Sequence, residues 1–238
     1  MNLSKIVFSI YPYIVLTVFI VGSWIRYDNE QYTWKTDSSM LLSKSNMVFA
    51  SNFFHIGILS IFGGHFAGLV LPHALWLAFG VSDIQHQWLA ISAGSVFGLM
   101  CLIGGSVLWL RRMFNPRIRA ASRYMDIFIL SWLMVTLLLG LSTIPVSVGH
   151  ANHADPGAML ALSGWVQSIL TLNPKPELLD NVDTVFKVHM VFGMTVFLLF
   201  PLRVLPAGFS TGSFFPWPRW SAISASNVRR RASSSCMR

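Results

Sequence analysis

Runs of about 20 apolar residues recur along this chain, and they decide what it can fold into. A helix needs about that length to cross a bilayer, because each residue adds about 1.5 Å along its axis. Only 11% of the residues are charged, whereas a water-soluble domain carries about 25%. The sequence therefore predicts an all-α integral membrane bundle of five transmembrane helices. The predicted spans cover about residues 6–25, 47–71, 88–110, 127–148 and 183–205.

The composition changes near residue 208. Residues 1–207 are predicted to form the membrane domain, and within it the fifth span is the shortest apolar run. Its strictly apolar part, Val188–Leu202, lies between Lys187 and Arg203, whose side chains can extend to the bilayer surface. Residues 208–238 are rich in Ser, Pro, Trp and Arg, which predicts an irregular basic tail.

Lysine and arginine residues lie mainly after the first, third and fifth spans, while the loop between the second and third spans has none. Because cytoplasmic loops carry the excess of basic residues, we expect the N-terminus outside and the C-terminus in the cytoplasm. Basic residues at the ends of spans do not form a nucleic-acid face, so nucleic-acid binding is excluded. These residues are Arg26, Lys35, Lys44, Arg111, Arg112, Arg117, Arg119, Arg123, Arg203, Arg219, Arg229, Arg230, Arg231 and Arg238.

The loop at 149–181 contains a short amphipathic pattern. Asp155 and Pro156 are typical of a helix start, and Met159, Leu162 and Val166 then recur at helical spacing. We expect a helix on the outer surface, either as an interfacial anchor or as a lid over a lipid-soluble substrate.

Three histidines lie inside the apolar spans, where an ionisable side chain is costly and usually has a function. His65 and His189 are expected at the same outer depth on two different helices. His55 lies ten residues before His65, about 15 Å along the helix. Such imidazoles suit haem iron, with His65 and His189 as an axial pair. The alternative is that all three are hydrogen-bonded packing residues.

Four glycines accompany these histidines in the second span. They would let a flat macrocycle approach the backbone, or they would serve helix packing, since Gly64 and Gly68 match a small-xxx-small pattern. The cysteines, Cys101 and Cys236, are too few for an iron–sulfur site, and no C-x-x-C-H motif for covalent haem attachment occurs. The glycines are Gly57, Gly63, Gly64 and Gly68.

The segments that carry the histidines resemble, in order and spacing, the gamma subunit family of respiratory nitrate reductases, over about residues 8–201. Family-like motifs occur at Tyr11-Pro12-Tyr13, Gly22–Asp28, Gln31–Trp34, Ala50–Gly57, Gly64-His65-Phe66, Pro72-His73, Leu139–Pro145, His189 and Gly193–Pro201.

The resemblance implies a membrane cytochrome b with two b-type haems in a prokaryotic cytoplasmic (inner) membrane. It implies that His65 and His189 ligate the outer haem and that His55 is one ligand of the inner haem. Menaquinol or ubiquinol would be oxidised near the outer face, beside Gly64 and His86, which stands at the position of a family lysine. Electrons would pass to an iron–sulfur beta subunit and a molybdenum-containing alpha subunit.

One position departs from the family. The family has its fourth histidine near the inner end of the fifth span, where this chain has Ala207. The open explanations are a shifted reading frame, an inner haem held by His55 alone, or a lost inner haem. Arg111 and Arg112 are candidate partners of haem propionates, or they only obey the positive-inside rule. Rival functions are the quinol-linked cytochrome b of a sulfur-compound or heterodisulfide reductase, and a non-haem membrane anchor.

Overall fold

The computed structural model describes residues 3–29, 47–122 and 124–202, and every regular element within these ranges is helical. A π-helical turn (Phe66–Val70) continues α2, and a 3₁₀ turn (Pro176–Leu179) precedes α8. The helices are α1 (Leu3–Asn29), α2 (Met47–His65), α3 (His73–Ala78), α4 (Asp83–Phe114), α5 (Pro116–Ala121), α6 (Tyr124–Asn152), α7 (Gly157–Leu170) and α8 (Thr184–Leu202).

Five helices of the described ranges are long and apolar enough to cross a membrane, namely α1, α2 with its π-turn, α4, α6 and α8. This confirms the predicted all-α architecture with five membrane-spanning helices. Residues 30–46 and residues 203–238, which include Ala207 and the end of the predicted fifth span, lie outside the described residues.

The third spanning helix begins at Asp83, five residues before the apolar run at Trp88. Ser82 starts it with a capping box: the Ser82 hydroxyl accepts from the Gln85 N–H, and the Gln85 side chain accepts from the Ser82 N–H. The predicted span of about residues 88–110 leaves His86 in the loop before it, whereas the structure places His86 in the first turn of α4. The loop placement is wrong, because the capping box extends the helix into a polar segment that hydropathy alone excludes.

The spanning helices pack in the order α2, α4, α6, α8, α1. Glycines allow the closest approach, which is between α2 and α4. A Cβ at Gly57 would lie 2.7 Å from the Cys101 nitrogen, and one at Gly104 would lie 2.6 Å from the Ala50 oxygen. Helix–helix packing in membranes depends on such small residues.

Helix α7 packs across one end of the bundle, called here the His65 end, where α1 begins, α2 ends and α8 begins. Trp165 of α7 is buried, and its Nε1 donates to the Phe8 carbonyl at 3.1 Å. Gln167 Nε2 donates to the Leu71 carbonyl at 3.1 Å, just after the π-turn. Asp155 accepts from the Gly157 N–H, so α7 starts one residue later than Pro156. This amphipathic helix is therefore attached to the spanning helices on both sides.

Candidate functional site

His65 and His189 face each other at the His65 end. The centroids of their imidazole rings lie 6.1 Å apart, with an interplanar angle of 50°. Two imidazole nitrogens that bind one metal ion at about 2 Å each place their ring centroids about 6 Å apart. The pair predicted from sequence therefore comes together at a separation that suits an iron between the rings.

The Nδ1 atoms of the two imidazoles differ in their partners. His65 Nδ1 donates to the Ile61 carbonyl at 2.8 Å, one turn earlier in α2. This bond keeps the proton on Nδ1 and leaves the Nε2 lone pair for a metal. The buried Nδ1 of His189 faces the Thr136 main chain of α6. With its Nδ1 directed at α6, His189 has its Nε2 left for a metal, as His65 does.

Helix α6 makes room for His189 through a glycine. A Cβ at Gly140 would lie 2.9 Å from His189 Cε1 and 3.4 Å from its Nε2. Any larger residue at position 140 would push the imidazole away from α6. The sequence motif around Gly140 therefore sets the position of a histidine on another helix.

The glycines nearest the two imidazoles on α2 and α8 border open space. These helices are not among the closely packed pairs of the described chain, and Phe62 and Phe197 meet across them with ring centroids 5.9 Å apart. A Cβ built at Gly63, Gly64 or Gly193 would meet no other described atom within 4 Å. Gly63 and Gly64 thus do not serve helix packing, which Gly57 and Gly104 perform instead.

His55 lies at the other end of α2, one turn after Ser51. Its Nδ1 donates to the Ser51 carbonyl at 2.7 Å, and its side chain is exposed within the described chain. This bond leaves the Nε2 lone pair of His55 for a metal, as the Ile61 bond does for His65. Among the described residues, no second histidine faces it.

The candidate arginines lie in the last turn of α4. Arg112 forms an ion pair with Asp126 of α6 at 4.0 Å, and its side chain is 25% exposed. Arg111 lies about 10 Å further along α4 than Gly104, towards the end where α2 begins. Both arginines thus lie at the His55 end of the bundle, opposite the His65–His189 pair.

His86 is buried in the first turn of α4, at the His65 end. Its ring stacks on Trp76 of α3, with centroids 4.1 Å apart and an interplanar angle of 23°. A Cβ at Gly68 would lie 3.7 Å from His86 Nε2. The imidazole therefore faces the π-turn that follows His65, and π-turns are frequent at functional sites. The sequence offered no prediction for Trp76, because an aromatic residue in an apolar run has many roles.

His150 and His153 make contacts near the surface of the His65 end. His150 Nε2 lies 3.4 Å from an Asp183 oxygen, and His153 Nδ1 donates to the Gly149 carbonyl. No three His, Cys, Asp or Glu residues converge on a metal site within the described ranges. Two opposed imidazoles suffice for haem, because the macrocycle supplies the other ligands. The donor set, the ring separation and the space beside Gly64 therefore fit a haem.

Comparisons with known proteins agree on one family. The family model described as nitrate reductase gamma subunit matches residues 4–220, so the likeness extends beyond the motifs that end at Pro201 and includes Ala207. The respiratory nitrate reductase 1 gamma chain of Escherichia coli strain K12 is 48% identical over 204 residues, covering 85% of this chain and 89% of that protein.

A second relative is more distant but equally complete. The nitrate reductase gamma chain of Bacillus subtilis strain 168 is 34% identical over 207 residues, covering 87% of this chain and 92% of that protein. With its five membrane-spanning helices, the chain belongs to the nitrate reductase gamma subunit family and is a membrane subunit of a nitrate reductase complex.

Proposed function

We propose that this chain is a cytochrome b that oxidises membrane quinol and delivers the electrons to the nitrate-reducing subunits of its complex. The opposed pair His65 and His189, with ring centroids 6.1 Å apart, carries this proposal. When bound there, a b-type haem supplies one-electron chemistry between a two-electron donor and the partner subunits. His65 and His189 are the residues that would hold its iron.

A second haem is proposed at the His55 end, with His55 as one axial ligand and Arg111 and Arg112 as partners of its propionates. The Ser51 hydrogen bond orients the imidazole of His55 for this role. Arginine suits a propionate because its planar fork can donate two parallel hydrogen bonds. The position of the family's fourth ligand, Ala207, lies outside the described residues.

The proposed quinol site is the space beside Gly64, with His86 of α4 near Gly68, about one turn further along the chain. Menaquinol and ubiquinol are flat and apolar with two hydroxyl groups, so they fit a cleft with aromatic walls and a few polar atoms. The buried imidazole of His86 can accept a proton from a quinol hydroxyl while Trp76 holds its plane fixed.

The overall reaction converts quinol and nitrate to quinone, nitrite and water. Quinol loses two electrons and two protons at the His65 end, and nitrate gains two of each in the partner subunits. By analogy with the family, the acceptors are an iron–sulfur beta subunit and a molybdenum-containing alpha subunit. They would dock on the cytoplasmic side, at the inner loops and the His55 end.

The proposed location is the cytoplasmic (inner) membrane of a prokaryote. The N-terminus and the His65 end would face outward and the C-terminus inward. The arginines in the last turn of α4 and in α5 support this orientation, because they all lie at the His55 end. They are Arg111, Arg112, Arg117 and Arg119.

Quinol-driven reduction of the intact complex tests this function. A short-chain ubiquinol or menaquinol analogue should reduce the chain's haem absorbance and support nitrite formation. His86→Leu should slow both processes at least about tenfold, because a general base contributes that much or more, and His86→Lys should retain more of the rate. Reduced viologen, which donates directly to nitrate-reducing subunits, should give wild-type nitrite formation in every variant.

His153→Ala is the matched control, because this histidine is exposed and bonds only within its own helix end. A wild-type complex that forms nitrite from quinol but shows no haem absorbance in this chain would favour a non-haem membrane anchor. A complex that accepts electrons from viologen but never from quinol would contradict the proposed function.

A further inference from the structure

Helix α3 meets the start of α4 through two side-chain contacts that connect polar groups around His86. Trp76 stacks on His86, and His73 Nδ1 lies 3.1 Å from Asp83 Oδ1. Asp83 precedes His86 by three residues on α4, so the two side chains are neighbours on one face of the helix. His86, Asp83 and His73 thus form a chain of three proton-carrying groups.

Exposure increases along this chain of groups. His86 is 7% exposed, while the side chains of Asp83 and His73 are 29% and 44% exposed. The buried member faces Gly68 in the π-turn, one turn from the open space at Gly64. The outermost member is accessible to water. The series therefore runs from the proposed quinol site to the surface at the His65 end.

We propose that Asp83 and His73 form the proton exit of the quinol site, with His86 as the group that passes each proton to them. This inference rests on the proposed function, because it needs quinol oxidation beside Gly64 and His86. The proposed path leads from the quinol outward through His86, Asp83 and His73, in that order.

Protons and electrons balance in this scheme. Each O–H bond of the quinol breaks, its proton forms an N–H bond at His86, and its electron leaves for the nitrate-reducing subunits. The proton then moves to the Asp83 carboxylate and on to the His73 imidazole, whose second nitrogen releases a proton to water. Two such transfers complete the oxidation of one quinol to quinone.

The charges around His86 suit a proton path. Its electrostatic neighbours are Asp83 on its own helix and His73 on α3. Towards α6 the contact is neutral, since Gln87 Nε2 donates to the Ser147 carbonyl at 3.3 Å, and His150 of α6 is near Asp183 instead. On α2, His65 donates to Ile61 and lies before the π-turn. Asp83 is therefore the carboxylate placed to attract a proton from His86.

A purely structural role must be separated from proton transfer, because the same contacts also hold α3 against α4. Asp83→Asn keeps a side-chain oxygen that can accept from His73 but cannot carry a proton at neutral pH. Asp83→Glu restores the carboxylate on a longer side chain. A structural role would tolerate Asn about as well as Glu, whereas a proton path requires Glu.

The test uses the whole complex and measures haem reduction by a quinol analogue between about pH 5 and 9, with the solvent deuterium isotope effect. We expect Asp83→Asn to slow reduction at least about tenfold and to change its pH profile. Asp83→Glu should restore the wild-type pH profile and a rate of haem reduction within about threefold of the wild-type rate. Haem content and thermal unfolding should be unchanged in both variants.

Asp183→Asn is the matched control, because Asp183 faces His150 in a similar histidine–carboxylate contact at the same end. It should keep the wild-type rate and pH profile. Wild-type kinetics in Asp83→Asn would overturn the proposed exit while leaving quinol oxidation intact. The exit would also be overturned if Asp83→Asn and Asp83→Glu lost rate and thermal stability to the same extent. A wild-type complex that quinol never reduces would instead show that the proposed function has failed.

Discussion

The imidazole of His189 can lie beside α6 only because residue 140 is glycine. Replacement by alanine would place a Cβ 2.9 Å from His189 Cε1, closer than unbonded carbon atoms approach. We predict that Gly140→Ala displaces the ring and lowers haem content at least about twofold, since ligand placement must be accurate to about 0.5 Å. The measurement is haem per polypeptide in the purified chain.

The control lies on the same helix. A Cβ at Gly149 of α6 meets no described atom within 4 Å, so Gly149→Ala should keep the wild-type haem content. Equal haem content in Gly140→Ala and wild type would contradict the proposed position of His189.

At the level of single residues, the sequence supplies candidates for the chemistry but not the contacts that position them. The three histidines stood out because an ionisable group in an apolar span is costly, and this argument needs no structure. The roles of Gly140 and Trp76 depend on residues far away in the chain. The stack of Trp76 on His86 and the approach of His189 to α6 arise from tertiary packing, which hydropathy does not describe.

Among the elements, the contact between α2 and α4 depends on glycine at its closest point. A Cβ at Gly57 would lie within 2.8 Å of the backbone nitrogen and Cα of Cys101, and backbone atoms cannot rotate away. We predict that Gly57→Ala destabilises the bundle by about 1–3 kcal/mol, which is the usual cost of overpacking. Unfolding of the detergent-solubilised chain measures this change.

Gly94→Ala on α4 is the control, because a Cβ at this position would meet no described atom within 4 Å. It should be neutral or stabilising by up to about 1 kcal/mol, since alanine favours helices. Destabilisation of both variants to the same extent would contradict the specific role of Gly57.

Helix α7 is attached to the bundle by Trp165 and Gln167. Trp165→Phe keeps most of the buried ring but removes the hydrogen bond to the Phe8 carbonyl, which contributes about 0.5–1.5 kcal/mol. We predict faster amide hydrogen exchange across Gly157–Leu170, with unchanged exchange in α4. Leu170→Ala, at a side chain 53% exposed, should change exchange much less. Unchanged exchange in Trp165→Phe would show that α7 does not depend on this bond.

The helix boundaries show where sequence patterns stop being informative. Hydropathy located five spans because it measures the cost of placing each segment in lipid. It placed the start of the third at Trp88, since Asp83, Gln85 and His86 are polar, although the Ser82–Gln85 capping box was readable in the sequence. The π-turn after His65 has no comparable local pattern.

For the whole molecule, the orientation in the membrane is a proposal that labelling can decide. Asn173 lies in the exposed loop after α7, and Tyr124 begins α6 at the opposite end with 92% exposure. One cysteine introduced at each position, in a Cys236→Ser background that keeps only the buried Cys101, should react differently with a membrane-impermeant thiol reagent. We expect labelling at 173 in intact cells and at 124 only in opened cells. The reverse pattern would contradict an outward-facing His65 end.

The haem stoichiometry of the purified full chain tests the central claim most directly. The wild-type chain should show a b-type reduced-minus-oxidised spectrum, and His65→Ala and His189→Ala should each lose the same component. His55→Ala should leave that component in place, and His153→Ala should match the wild type. A colourless wild-type chain made with ample haem supply, or full absorbance after replacement of both His65 and His189, would contradict the account.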